Sequence, residues 1–174
     1  MRTLIAALAL ALAACSPEQT TLSHPYGEPS EPASPLNADA AALAGAPAAG
    51  QWFERADEGT LAAGFGVPES EYQLVITCTQ GSGAIGVSSS SELAPDQPTT
   101  LRVITPTRSI DLPARSFNEG LPAITAEIAD AAPEKAMPIS VLGAPADRFA
   151  IDSGGEIIVY PWDDVIARTL IACR

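Results

Sequence analysis

The segment Glu71-Tyr72-Gln73-Leu74-Val75-Ile76-Thr77-Cys78 constrains the fold most. β-Branched and aromatic residues dominate it. A period of two places Tyr72, Leu74 and Ile76 on one face and Val75 on the other, as in a central strand. Shorter segments of the same kind recur on both sides. Residues 51–55 and 60–65 read as strands around the turn Asp57-Glu58-Gly59, and Gly66-Val67-Pro68 ends the second. After the turn Gln80-Gly81-Ser82-Gly83 comes Ala84-Ile85-Gly86-Val87. A polar loop is expected through the serine run 88–91 and on to Pro98.

Residues 101–104 and 109–112 alternate around Thr105-Pro106-Thr107-Arg108, which predicts a hairpin. Residues 124–128 fit a strand or a helical turn. Residues 131–145 are ambiguous, with Met137, Ile139, Val141 and Leu142 available to a core. A second hairpin is expected where residues 148–151 and 156–160 bracket Asp152-Ser153-Gly154-Gly155, whose glycines accept positive φ. The last element reads as a helix. Pro161 suits its first turn, Asp163 and Asp164 suit the positive end of its dipole, and Ile166, Leu170 and Cys173 form one inward stripe. Arg168 and Arg174 face outward.

About eight short strands, with turns every 8–12 residues, predict a mainly β fold. The expected form is a small antiparallel sandwich or barrel with one C-terminal α-helix, spanning residues 51–174.

The preceding residues have a different character. Residues 15–50 carry scattered prolines among Ser, Glu, Ala and Gly without a sustained period, which reads as a tether. Residues 38–46 offer a helical turn or two with little apolar stripe to dock. Residues 1–14 pair the positive Arg2 with an apolar run from Leu4 to Ala11. That run falls well short of the ~20 residues of a spanning helix, and small residues follow it. It is the pattern of a cleaved secretory signal.

The motif Leu12-Ala13-Ala14-Cys15 resembles the lipobox of bacterial lipoproteins. The resemblance implies that Cys15 becomes the lipidated first residue of the mature chain, carrying a diacylglycerol and a further acyl chain such as palmitate. Ser16 after it implies transfer to the outer membrane, on its periplasmic face. The alternative is an ordinary secreted chain with Cys15 as a free thiol. If Cys15 is lipidated, Cys78 and Cys173 remain in an oxidising compartment, where a disulfide would tie the last helix to the sheet. Two buried thiols or a redox pair are the alternatives. The chain has no Cys-X-X-Cys.

Composition excludes several activities. With 21 acids against 9 bases the net charge is −12, so nucleic acid is not an expected partner. Lys135 is the only lysine and His24, in the tether, the only histidine. A Ser-His-Asp or Cys-His site therefore has no local base. Histidine-based metal ligation fails for the same reason. Ala132 stands where a Ser-x-x-Lys motif requires serine. No cofactor or metal site is expected, and no Walker loop or dinucleotide fingerprint occurs.

Carboxylates are plentiful. The pairs Asp57/Glu58, Glu69/Glu71, Asp152/Glu156 and Asp163/Asp164 can in principle serve glycoside hydrolysis. Each also has a simpler place in a turn, on a strand's solvent face, at a hairpin tip or at a helix start. Calcium at Asp152 to Glu156 lacks the necessary ligand density.

The expectation is a non-enzymatic, membrane-anchored envelope lipoprotein that binds or assembles with an unidentified envelope protein. As an alternative, Tyr72 to Thr79 with its following glycine turn and the closing Cys173-Arg174 is similar to membrane-bound inhibitors of c-type lysozyme. That resemblance implies a periplasmic inhibitor of a cationic, lysozyme-like enzyme. The active-loop motif of those inhibitors has no counterpart at Asp152-Ser153-Gly154-Gly155-Glu156.

Overall fold

The computed structural model describes residues 35–94, 96–117, 121–130 and 136–173. Cys15, His24, Lys135, Arg174 and the whole expected signal segment lie outside them, as does the side chain of Met137. The elements are α1 (Pro35–Ala42), β1 (Gln51–Asp57), β2 (Thr60–Gly66), β3 (Tyr72–Thr79), β4 (Ala84–Ser90), β5 (Pro98–Ile104), β6 (Ser109–Phe117) and β7 (Ala123–Ile128). They continue with α2 (Ala136–Leu142), β8 (Arg148–Ser153), β9 (Glu156–Pro161) and α3 (Asp164–Ile171).

The fold is mainly β with a C-terminal helix, as the alternating pattern predicts. All nine strands belong to one antiparallel sheet in the order β1-β2-β3-β4-β7-β6-β5-β8-β9. Of the two expected forms, a single curled sheet is the one adopted. Its inner face carries the core: Leu74, Ile76 and Cys78 of β3, Ile85 and Val87 of β4, and Leu101 and Val103 of β5 are fully buried.

The curl brings the two end strands together through side chains. Trp52 of β1 donates from Nε1 to the Pro161 carbonyl of β9 at 2.8 Å. Across the same seam Phe65 meets Tyr160 edge-on at 5.2 Å, and Trp52 lies 6.3 Å from Phe149. Aromatic contacts of this kind add to area burial. The result is a barrel whose seam is joined by packing and one indole hydrogen bond.

Residues 35–50 pack on this seam. Ala48 N donates to the Val159 carbonyl at 2.7 Å, covering the exposed side of β9. Ala42 and Leu43 pack against Ile104, Ala150 and Val159, and Arg102 holds Asp39 at 3.1 Å. The apolar stripe of this segment is short, as its sequence indicates, yet those two side chains suffice to dock it.

Three other sequence expectations are corrected. The serine run is not a solvated loop: residues 88–90 complete β4, Ser89 is fully buried, and Ser91 is buried beyond the strand. Inward alternation simply continues from Ile85 and Val87 with a hydroxyl in place of a hydrocarbon. Pro161 ends β9 instead of opening the helix. The N-cap is Asp163, whose carboxylate accepts from Val165 N at 2.9 Å and satisfies an otherwise orphan donor.

Finally, Tyr72 does not share a face with Leu74 and Ile76. The β2–β3 register shifts between Phe65, paired with Leu74, and Gly66, paired with Tyr72. The extra residue on β3 makes a bulge that turns Tyr72 outward. The ambiguous 131–145 stretch yields α2, with Val141 and Leu142 buried, and residues 124–128 are strand.

Candidate functional site: the serine rim of the barrel

The two ends of the barrel differ. One end is closed by α3, whose Val165, Ile166, Thr169 and Leu170 are buried. Cys173, just beyond this helix, is disulfide-bonded to Cys78 at the end of β3, with their Cα atoms 5.7 Å apart. Trp162 Nε1 donates to the Leu142 carbonyl at 2.8 Å, holding α2 beside this end.

The opposite rim is polar. Ser89, Ser116 and Ser153 face inward and are buried. The Ser153 and Ser89 hydroxyls lie 3.5 Å apart. The segments on either side of residue 95 are tied to Ser116, which donates from Oγ to the Ala94 carbonyl and accepts there from Gln97 N at 2.8 Å. Leu93 sits against Gly154. φ at Gly154 is +70°, which favours glycine at the hairpin tip, and a Cβ there would come within 2.8 Å of a Leu93 methyl that would have to shift.

Tyr160 reaches across the barrel interior toward this rim. Its ring is fully buried, and Oη makes no hydrogen bond of full geometry among the described residues, although the Ser89 hydroxyl lies close enough to interact with it. Burial pushes its hydroxyl up to about 12. The neighbouring Ser89 hydroxyl works against that shift, and the Glu156 carboxylate adds to it.

A cleft of about 690 Å³ opens at the same rim. Its floor is the serine run, including the buried Ser89 and Ser91. Val75, Leu121, Pro122 and Ala123 supply apolar lining, and Tyr72 supplies an aromatic wall. Glu71, Glu92 and Glu156 add three carboxylates, two from connections and one from the start of β9, and among the described residues no basic side chain lines it. Tyr72 is held in place. A Cβ on Gly64 would meet its ring at 2.9 Å, so the ring lies directly over that glycine, with Phe53 beside it at 6.1 Å. In the cleft floor, Ser88 Oγ and Thr125 Oγ1 pair across β4 and β7 at 2.5 Å.

The carboxylate pairs singled out in the sequence are dispersed. Asp57 approaches Arg55 at 3.5 Å and Glu58 sits exposed in its turn at φ 41°. Asp152 Oδ1 accepts from Gly155 N at 2.9 Å, closing the hairpin tip. Asp163 caps α3, and Asp164 pairs with Arg168 on the helix surface. Arg168 also binds Glu54 of β1 at 3.0 Å, a hydrogen bond that raises its guanidinium further above its ordinary value.

Only Glu71 and Glu156 enter the cleft, each separated from its sequence partner and joined there by Glu92. Sequence reasoning missed Ser89, Ser91, Glu92, Tyr72 as a cleft wall, and Tyr160. Continuing the period of two past Val87 would have found Ser89. Among the described residues no group of three or more metal-ligating side chains gathers, and no helix is long and apolar enough to cross a membrane. Comparison with protein-family models, with characterised proteins and with solved structures finds no match.

Proposed function

We propose that this chain is a membrane-anchored envelope lipoprotein acting as a binding module, held by lipid on Cys15 and offering its serine rim to an envelope partner. The observation that carries this reading is the cysteine arithmetic. The chain has three cysteines, and two of them are joined in the Cys78–Cys173 bond. The third stands in the lipobox-like Leu12-Ala13-Ala14-Cys15. A disulfide also suits an oxidising compartment outside the cytoplasm.

Binding is favoured over catalysis by the sequence itself, whose one histidine stands in the expected tether. It is further supported by the form of the rim, where an aromatic wall, hydroxyls and carboxylates converge on an open cleft. Clefts with a few convergent polar groups at the mouths of β-barrels are common ligand sites.

Labelled palmitate tests the anchor. The wild-type chain is expected to take up label and to fractionate with membranes, whereas Cys15→Ser takes up none and leaves the membrane fraction. Absence of label from the wild-type chain removes the lipoprotein reading.

A further inference from the structure

We propose that residues 35–50 form a releasable latch on the outside of the barrel, which gives the anchor arm one length while docked and a greater one when it lets go. The consequence for arm length rests on the lipoprotein reading. The latch itself rests on the packing of this segment.

The outer face of the sheet carries polar side chains along its strands, among them Thr77, Arg102, Asp111, Thr125 and Glu127. One row breaks that pattern. Ile104 of β5 pairs with Ala150 of β8, and Ala150 with Val159 of β9. Alternation points all three outward, since their neighbours Val103, Phe149 and Tyr160 belong to the barrel core. Yet all three are buried, in a cluster separate from that core, and Ala42 and Leu43 pack against it. An apolar row on a polar face calls for a cover, and this chain supplies its own.

The seat is shaped for the segment. Asp39 meets Arg102 at 3.1 Å, and the Gly45 carbonyl accepts from Arg148 Nη1 at 3.4 Å. A Cβ on Gly45 would lie 3.3 Å from a Val159 methyl, so the absence of a side chain lets the backbone pass close over the row. Ala48 N then donates to the Val159 carbonyl at 2.7 Å. The latch ends at Gly50. A Cβ there would come within 2.8 Å of the Gly66 carbonyl oxygen, and the next residue, Gln51, is already paired with Gly66 in the sheet.

Beside the strands, its hold is slight. Ala42 and Leu43 are only half-buried, and residues 44–47 and 49–50 are exposed. Crevices run along both flanks, one of about 380 Å³ against the hairpin turn 105–108 and one of about 590 Å³ beside Ile157 and Ile158. Gaps of this kind forfeit dispersion contacts along the segment. The Asp39–Arg102 pair is partly exposed, and such pairs add little. Few buried apolar contacts mark a unit that opens well below the free energy of global unfolding. Opening stops short of the seam, because Trp52 binds the Pro161 carbonyl from within β1, beyond Gly50.

Release lengthens the arm. With the latch docked, residues 15–34 connect the expected lipid on Cys15 to the domain, and at about 3.5 Å per residue they reach at most about 70 Å. With the latch free, residues 15–50 reach at most about 125 Å. An envelope partner standing beyond the shorter reach therefore selects the released form.

Hydrogen exchange on the full chain in neutral detergent, read by mass spectrometry of its fragments, tests the latch. In the wild-type chain residues 39–50 are expected to exchange at least about tenfold more slowly than the same sequence as a free peptide, and at least about a hundredfold faster than β5 and β8. The variant Asp39→Ala, Leu43→Ala should bring 39–50 to within about threefold of the peptide rate, while β5 and β8 stay at least about a hundredfold slower. The control Ala44→Ser, Ala49→Ser changes two exposed positions and should leave the exchange of 39–50 as it is in the wild type.

Exchange of 39–50 at the rate of β5 and β8 in the wild-type chain overturns release, and exchange at the free-peptide rate overturns docking. Loss of protection from β5 and β8 together with 39–50 in the Asp39→Ala, Leu43→Ala variant also overturns the proposal, because the segment would then be part of the barrel. Exchange reads the latch whether or not Cys15 carries lipid, so failure of the latch and failure of the anchor are told apart.

Discussion

Where Cys78 meets Cys173, the barrel is closed by a helix, an apolar stripe and a covalent bond. At the opposite rim the segments beside residue 95 are tied through one serine, next to buried hydroxyls and a phenol that makes no full hydrogen bond. The first end spends apolar area on stability and leaves one buried hydroxyl, Thr169 of α3, without a partner among the described residues. The second is lined by buried serines, by the Tyr160 phenol and by three exposed glutamates. The contrast is between an apolar, covalently closed end and a polar one within a single sheet.

The sharpest way to break the contrast is to open the disulfide. The loop it closes spans 95 residues in sequence. The variant Cys78→Ala, Cys173→Ala is expected to lose about 2–5 kcal/mol in urea unfolding, read as a lower midpoint. The raised pKa of Tyr160 at the rim should persist in the folded fraction. If that shift disappears before the midpoint moves, the two ends are not independent.

Alkaline titration probes the other end. Tyr160 is raised from its ordinary 10.0 to about 12 in the folded chain. Between those values the unfolded chain loses this proton while the folded chain keeps it, so stability falls as pH climbs from 10 toward 12. The loss from this group amounts to about 2 kcal/mol, and Tyr160→Phe should remove it. Near neutral pH the same substitution deletes an unsatisfied hydroxyl, and its expected effect is a gain of about 1 kcal/mol. A clear loss there would show that Oη is satisfied in solution.

The smallest effect is expected from Arg168→Ala. Its pairs with Glu54 and Asp164 lie on the surface, where ion pairs add little. The urea midpoint should move by no more than the scatter of replicate melts. A large shift would mean that α3 is held to β1 by charge as well as by its buried stripe.

How legible these ends were in the sequence depends on the kind of signal each carries. The α3 end was readable because Ile166, Leu170 and Cys173 repeat at helical spacing, and because an acidic cap precedes them. The hairpins were readable from Thr105 to Arg108 and from Asp152 to Gly155, where turn chemistry interrupts alternation. The rim was not. Ser89 is buried by its position in a strand while its hydropathy says surface, so a polar run that continues a strand reads as a loop. Tyr72 was assigned inward by a period of two that the bulge breaks, and a bulge is a matter of pairing between strands. Glu71, Glu92 and Glu156 are far apart in the chain, two in connections and one at the start of β9, and no local pattern links them.

By itself the sequence determined most of the strands, the hairpin turns, the C-terminal helix and a cysteine pair available for bonding, because each follows from local periodicity and residue chemistry. Its lipobox-like start supplied an address that stays a proposal. The tertiary structure alone decided that nine strands form one sheet, that Trp52 joins its two ends, and that one rim collects serines, glutamates and an outward tyrosine. Closure depends on sheet twist and on contacts between residues more than a hundred positions apart, as between Trp52 and Pro161. Such contacts leave no trace in any short stretch of chain.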